Sequence, residues 1–508
     1  MFCSTSTLFS RACALVALVM FCALPARANY DLDEPFISMS AGITLRPPAG
    51  GESALGAAGS DEIVKFFSAD DNWLLVVRRL ALAEPMQLAE REQMGDDART
   101  RGGIVGQAAS RMPNDTPGKM LRLNFIPIAG HDGVLLASQY HEPKESRYHQ
   151  QAIIRRHDRL YYFITFTSPI SDGADIQKDE AAKLATELFQ SVLDSVELID
   201  QDAIRQDQDR RLIRTRNLMI NWRKDVIAKA IVPERYFRIQ RNGKDVGYTY
   251  VIEELADSVP NAGKVPEVSD PTKALGVRIG MRSRTFPEIG RQVDTESWMW
   301  FTFDRKEEDF SNLMVTKTPD DKENFAKERG KSIQRDREVP SIVKNSLGQD
   351  EVVSRKQNQY ELDVWSIGKN ISVPPVHVEL PPYYIPQATA YMLPRLVPLR
   401  SADTYLFAVY STDRRAVMLR YIDVEAPREV ILGGKKMIAT PVVDRTGLEG
   451  QKTIHYMSSD GKFLGSTSED GKLALLPADA DTIMKIWKDA NLSRPSDVED
   501  SNESKGSD

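Results

Sequence analysis

Glu429-Val430-Ile431-Leu432-Gly433-Gly434-Lys435-Lys436-Met437-Ile438-Ala439-Thr440 reads as two extended runs joined by a two-glycine step. Glycine tolerates the positive φ that both central positions of the tightest hairpin turn require, so this pattern predicts a β-hairpin. Three more dipeptides of the same kind lie between extended runs: Asn242-Gly243, Asp460-Gly461 and Asp470-Gly471. Further extended runs fall at 247–254, 276–285, 296–304, 312–317, 404–410 and 416–424. So many antiparallel candidates with few helical ones predict a large meandering sheet or open half-barrel over 231–490. Asn242-Gly243-Lys244-Asp245-Val246-Gly247 is echoed by Asp460-Gly461-Lys462-Phe463-Leu464-Gly465. Either a duplicated unit or convergent turn chemistry accounts for the echo.

Upstream, the pattern mixes strands with helices. Strands are expected at 119–128 and 133–141, separated by the turn Gly130-His131-Asp132-Gly133, and at 147–156 and 159–167, meeting at His157-Asp158. In the last of these Leu160, Tyr162, Ile164 and Phe166 alternate with Tyr161, Phe163 and Thr165, the period of two of a half-buried sheet. Residues 84–101 look helical, and 102–118 form a loose Gly/Pro stretch. Over 178–199, Leu184, Leu188, Phe189, Val192, Leu193, Val196 and Ile199 recur three and four apart, one apolar stripe suited to a sheet. The expected fold class is therefore α+β: a two-layer α/β sandwich over 29–200, then a mainly antiparallel β half-barrel or open-sheet domain.

Three stretches carry a family likeness. Gly42-Ile43-Thr44-Leu45-Arg46-Pro47-Pro48, the strand opening Leu160-Tyr161-Tyr162, and the helix ending Leu188-Phe189…Val192-Leu193-Asp194-Ser195 together resemble the PsbP-type α/β sandwich. The likeness spans about a third of the chain. It implies a non-enzymatic accessory or binding role in an exported compartment, and no ligand motif accompanies it. The downstream β region is similar to exported domains that share the half-barrel of lipoprotein carriers, a likeness of fold alone.

The remaining segments are read from composition. Arg11, the apolar run 12–24 and Ala26-Arg27-Ala28 form a signal peptide over 1–28 with cleavage before Asn29. Its apolar core is too short to span a bilayer. Cys3, Cys13 and Cys22 all lie within it, so the mature chain is cysteine-free, without disulfides or thiol chemistry. Loss of Arg11 and Arg27 takes the formal charge from −7 to about −9. That acidity excludes a general nucleic-acid binder. Periplasmic or extracellular localisation follows, with no transmembrane span in the mature chain. Residues 201–230 read as a basic helical connector, with Arg205, Arg210, Arg211, Arg214, Arg216 and Arg223 diluted by Asp202, Asp207, Asp209 and Asp225. Residues 304–338 are densely charged and suggest an exposed helix or loop. The proline-rich stretch 367–400 holds a short helix from Pro386 over 387–393. It is either a rim over an apolar groove or a crossover between sheets. The tail 491–508 has the composition of a disordered segment.

No catalytic, cofactor-binding or metal site is assigned, and no cofactor is expected. His141 and His149 flank one hairpin loop and with Glu142 offer the nearest approach to a metal site, although exposed turn histidines account for them equally. His131 and His157 lie in turns, and His377 and His455 lie in strand-like runs without a nucleophile motif. No G-x-S-x-G, HExxH or well-spaced phosphate loop occurs. The expectation is a non-enzymatic exported protein that binds a lipid, an extended apolar ligand or an envelope protein partner. Trp298, Trp300, Phe301 and Phe303 either line the site or fill the core. The alternative is an envelope hydrolase with its site between the two domains.

Overall fold

The computed structural model describes residues 31–57, 60–89, 102–113, 120–142, 145–171, 175–258, 273–288, 290–318, 323–344, 350–368, 371–488 and 490. The segment 1–28, expected as a signal peptide, and the tail 491–508 lie outside these residues. The chain divides into two compact units between Gln201 and Asp202. No helix of the described residues is long and apolar enough to cross a membrane.

The first unit begins with β1 (Phe36–Ser38) and β2 (Ile43–Leu45), which pair in a small sheet completed by β10 (Glu197–Leu198). Its main sheet has seven antiparallel strands. They are β3 (Gly51–Leu55), β4 (Glu62–Ser68), β5 (Leu74–Ala81), β6 (Arg122–Ile128), β7 (His131–His141), β8 (Ser146–His157) and β9 (Leu160–Ile170), in the order β3-β4-β5-β9-β8-β7-β6. The alternation in β9 sends Leu160, Tyr162, Ile164 and Phe166 to one face, all buried. There α2 (Glu180–Asp194) covers them with Ala182, Ala185, Phe189, Val192 and Leu193. The Phe166 and Phe189 rings stack at 5.7 Å, and burying a ring of that size contributes about 1.5–3 kcal/mol. Asp179 caps the helix by accepting from Ala182 N at 2.9 Å. Leu184, read as part of the apolar stripe, is instead more than half exposed.

The two-layer sandwich is corrected here, because the second face of the sheet is covered too. A helix forms where a loose stretch was expected, α1 (Gly103–Arg111), and buries Ile104, Val105 and Ala108 against Val134, Leu136, Ile153 and Tyr161. Its start has no side-chain cap. Gly102 and Gly103 both hold positive φ, and the first free N–H groups, of Ile104 and Val105, donate to the carbonyls of Gln87 and Leu88. The helix expected over 84–101 is absent from 84–89, and 90–101 lie outside the described residues.

The second unit is dominated by one antiparallel sheet. Before it come α3 (Gln201–Ile220) and α4 (Lys224–Lys229). An eight-strand meander follows: β11 (Glu234–Arg241), β12 (Lys244–Ala256), β13 (Gly276–Glu288), β14 (Arg291–Thr302), β15 (Glu308–Lys317), β16 (Glu323–Lys344), β17 (Asp350–Gly368) and β18 (Ile371–Glu379). After α5 (Gln387–Leu396) the chain makes β19 (Asp403–Ser411), β20 (Ala416–Val424), β21 (Arg428–Leu432), β22 (Lys435–Thr446), β23 (Thr453–Met457), β24 (Phe463–Ser468) and β25 (Leu473–Ala478), then α6 (Ala480–Ile486). Pairing of β25 with β11 fuses the two runs into the order β18 through β11, then β25-β24-β23-β22-β20-β19, with β21 folded onto β22. Two of the Gly-containing dipeptides turn as the sequence implies. Asn242-Gly243 joins β11 to β12 and Gly433-Gly434 joins β21 to β22, with positive φ at both residues of each pair.

Among the described residues the edge strands β18 and β19 are not hydrogen-bonded to each other, so the sheet does not close into a barrel. Of the charged stretch 304–338, expected as helix or loop, residues 308–317 and 323–338 are strand, in β15 and β16. With 25 strands against six helices among the described residues, the protein is β-rich rather than a balanced α+β sandwich. The physical reason is that hairpin chemistry, repeated along the chain, extends one sheet by local pairing and needs no helical layer.

Candidate functional site

The inner face of the large sheet is already filled. Helix α5 packs against β13 and β14 on one side and β19 and β23 on the other, so the sheet curls around it. Ala388, Ala390, Met392, Leu393 and Leu396 are all buried, while Gln387, Tyr391 and Arg395 form the helix's half-buried polar stripe. The helix runs through Pro394 to Leu396, beyond the expected end at 393. Phe301 is fully buried in the same core, and Trp298 and Trp300 are buried on the opposite face of β14. These aromatics pack; they line no open trough.

Charged groups in this unit are matched internally. Glu253 is enclosed and accepts from Arg395 at 2.7 and 2.8 Å, from Val232 N at 2.9 Å and from Arg235. Glu308 is enclosed and accepts from Gln387 N at 3.0 Å and from the Tyr384 hydroxyl; burial pushes its carboxyl up to about 7. Most arginines of the basic connector are paired as well. Arg211 pairs with Asp207 and Asp423, Arg214 with Asp403, and Arg205 with Asp202.

An open cavity lies instead in the first unit, where α1 leaves part of the β5-β9-β8 surface uncovered. It is about 400 Å³ in volume. One wall is apolar: Leu74 and Val76 from β5, Phe163 from β9, and Ile104, Ala108 and Met112 from α1 and its end. The floor is polar, because β8 and β9 place Gln151 opposite Thr165 and His149 opposite Thr167. Gln151 Nε2 donates to Thr165 Oγ1 at 3.1 Å, while its Oε1 is buried without a hydrogen-bond partner. His149 is 8% exposed, and its Nδ1 lies 2.9 Å from Thr167 Oγ1. Burial first, and the positive charge of Arg78 second, pull the imidazole down to about 4, so it is neutral near pH 7. Arg78, Arg111 and Asp61 stand at the rim, all exposed.

A second, larger hollow of about 760 Å³ lies by β6 and β7. Its one cation, Arg155, already pairs with Asp132 at 3.3 Å and with Asp158. The smaller groove therefore holds more unspent polar chemistry.

The histidines do not converge. His149 faces the groove, opposite Ser138, whereas His141 lies on the other face of β7, opposite Ser146. No group of three or more His, Cys, Asp or Glu side chains able to hold a metal occurs among the described residues. His131 contacts Arg156 at 3.0 Å, and His157 Nδ1 accepts from Arg159 N at 3.2 Å within its own turn. His377 pairs with Asp363 at 2.5 Å, and His455 with Asp444 at 3.4 Å. Apart from His149, singled out in the sequence as a metal-ligand candidate, the groove residues were missed because α1 was missed. Their one visible signal was the polar alternation Thr165, Thr167 on β9 beside Gln151 and His149 on β8.

No family profile matches the chain, and no curated protein sequence matches it. Among solved structures it is similar to a beta-barrel-like protein of the domain of unknown function DUF1849 from Brucella abortus. That match has 11% identity over 49% of this chain and 95% of the other, with a TM-score of 0.28. A point mutant of the protein Mog1 matches at 12% identity over 34% of this chain and 98% of the other, with a TM-score of 0.23. A protein of Bacteroides thetaiotaomicron VPI-5482 matches at 12% identity over 39% of this chain and 60% of the other, with a TM-score of 0.22. These are distant likenesses of fold. None of the three is named as a PsbP-type protein, so that resemblance rests on the residues quoted for it.

Proposed function

We propose that the protein is exported and that its N-terminal unit binds an elongated, largely apolar small molecule in the groove beside α1, without reacting with it. The groove itself carries this reading: an apolar wall facing a floor of a few fixed hydrogen-bonding groups is the usual make-up of a ligand site. Export is supported by Arg11, the apolar run 12–24 and Ala26-Arg27-Ala28. The hydrolase alternative places its site between the two domains; within this groove, the His149–Thr167 pair is poorly suited to a hydrolytic step. An imidazole pulled down to about 4 is a weak base for a hydroxyl proton near neutrality.

The test uses the full chain and N-phenyl-1-naphthylamine, an uncharged probe that fluoresces in apolar sites. Saturable enhancement is expected for the native protein and its loss for Thr165→Trp, which fills the groove from the strand floor. Equal enhancement by both proteins, with unchanged melting temperatures, would place the probe elsewhere and sink the reading.

A further inference from the structure

Arg78 and Arg111 are the two cations among the described lining residues, and neither side chain makes a hydrogen bond or ion pair with another described residue. Other arginines of the chain, such as Arg211, Arg284, Arg395 and Arg420, are paired with carboxylates. Two arginines come to the groove by different routes. Arg78 projects from β5 opposite Phe163 and acts electrostatically on His149. Arg111 sits in the last turn of α1. The chain just beyond it is tied down by Ser138 Oγ, which donates to Pro113 O at 2.8 Å, and Ser138 faces His149 across the β7–β8 ladder. The two cations thus line one groove that also carries an apolar wall and a polar floor.

Carboxylates near the rim do not cancel them. Among the described residues Asp61 is the only acidic one lining the groove, and Glu62, opposite Arg78 in strand register, forms no ion pair with it. A guanidinium without a counter-ion beside an apolar wall matches a planar anion attached to a hydrocarbon chain. It offers the fork geometry that a carboxylate accepts in bidentate fashion.

Resting on the groove reading above, we propose that the ligand is a single-chain amphiphile with a carboxylate head, held by Arg78 and Arg111, its chain lying along α1. The experiment is displacement of bound N-phenyl-1-naphthylamine from the full-length protein by dodecanoate, dodecanol and dodecyltrimethylammonium, each below its micellar concentration. Dodecanoate is expected to displace the probe at about tenfold lower concentration than either of the others. Arg78→Gln and Arg111→Gln, both at exposed positions, are each expected to erase that preference while leaving displacement by dodecanol unchanged. Binding of dodecanoate is also expected to raise the His149 titration midpoint, because the head neutralises the charge of Arg78. Equal displacement by all three amphiphiles, unaltered in the arginine variants, overturns the carboxylate assignment and leaves the groove reading standing. Failure of the probe to bind overturns both.

Discussion

His149 Nδ1 lies 2.9 Å from Thr167 Oγ1, directly across the β8–β9 ladder, so a histidine and a threonine share one hydrogen bond on the floor of the groove. Because burial and Arg78 lower the ring's affinity for a proton, folding and protonation oppose each other there. Between about 4 and the ordinary 6.5 the unfolded chain binds the proton and the folded chain does not. Stability therefore falls as pH drops through that window, by about 3 kcal/mol at the limit. His149→Gln should flatten this part of the stability profile. Parallel profiles for the two proteins in urea titrations at pH 4.5 and 7 would contradict it.

Glu308 runs the opposite way. Its carboxyl is raised to about 7 by burial, so between 4.5 and 7 the folded chain holds a proton that the unfolded chain has released. Stability of the second unit then falls as pH rises through the window, by roughly 3 kcal/mol at most. Glu308→Gln should be insensitive over that range, keeping one acceptor for Gln387 N while the Tyr384 hydroxyl turns to accept. Thermal melts at pH 5, 6, 7 and 8 check the sign.

The Glu253 cluster should tolerate the loss of its carboxylate poorly. Arg395 and Arg235 both donate to it, and the Arg395 side chain is only 6% exposed. Glu253→Ala would leave two buried guanidinium groups without their anion, at a cost of about 3–5 kcal/mol. A Glu253→Ala/Arg395→Met double-mutant cycle should return a large coupling energy, and additive losses would argue against a shared cluster.

A smaller test concerns packing. A Cβ on Gly330 would lie 2.2 Å from the ring of Phe310, which is fully buried in the core of the large sheet. Gly330→Ala should destabilise by about 1–3 kcal/mol through overpacking. Its combination with Phe310→Leu should recover part of the loss, as read by denaturant unfolding.

How much could be read in advance varied with how local each cause was. The hairpin at Gly433-Gly434 was legible because turn geometry depends on two residues. So was the strand 416–424, whose bounds match β20. The helix from Pro386 was legible at its start, since proline presets the first turn. By contrast, α1 starts on two left-handed glycines, and its first free N–H groups are satisfied by the carbonyls of Gln87 and Leu88, well upstream in the chain. No cap residue marks that start. The charged run 304–338 misled for a related reason: strand pairing across β15 and β16 overrode what its composition suggested.

By itself the sequence determined the turns, the alternation of β9, most of the apolar stripe of α2 and the β-rich character of everything after residue 230. These follow from the φ/ψ preferences of a few residues and from periodicity along one chain segment. Tertiary structure alone decided three things. It covered both faces of the first sheet, filled the curl of the second with α5, and brought Arg78, Arg111 and His149 to the lining of one groove. Those outcomes depend on which distant segments pair, and pairing across such distances is settled by the sum of many buried contacts rather than by any local pattern.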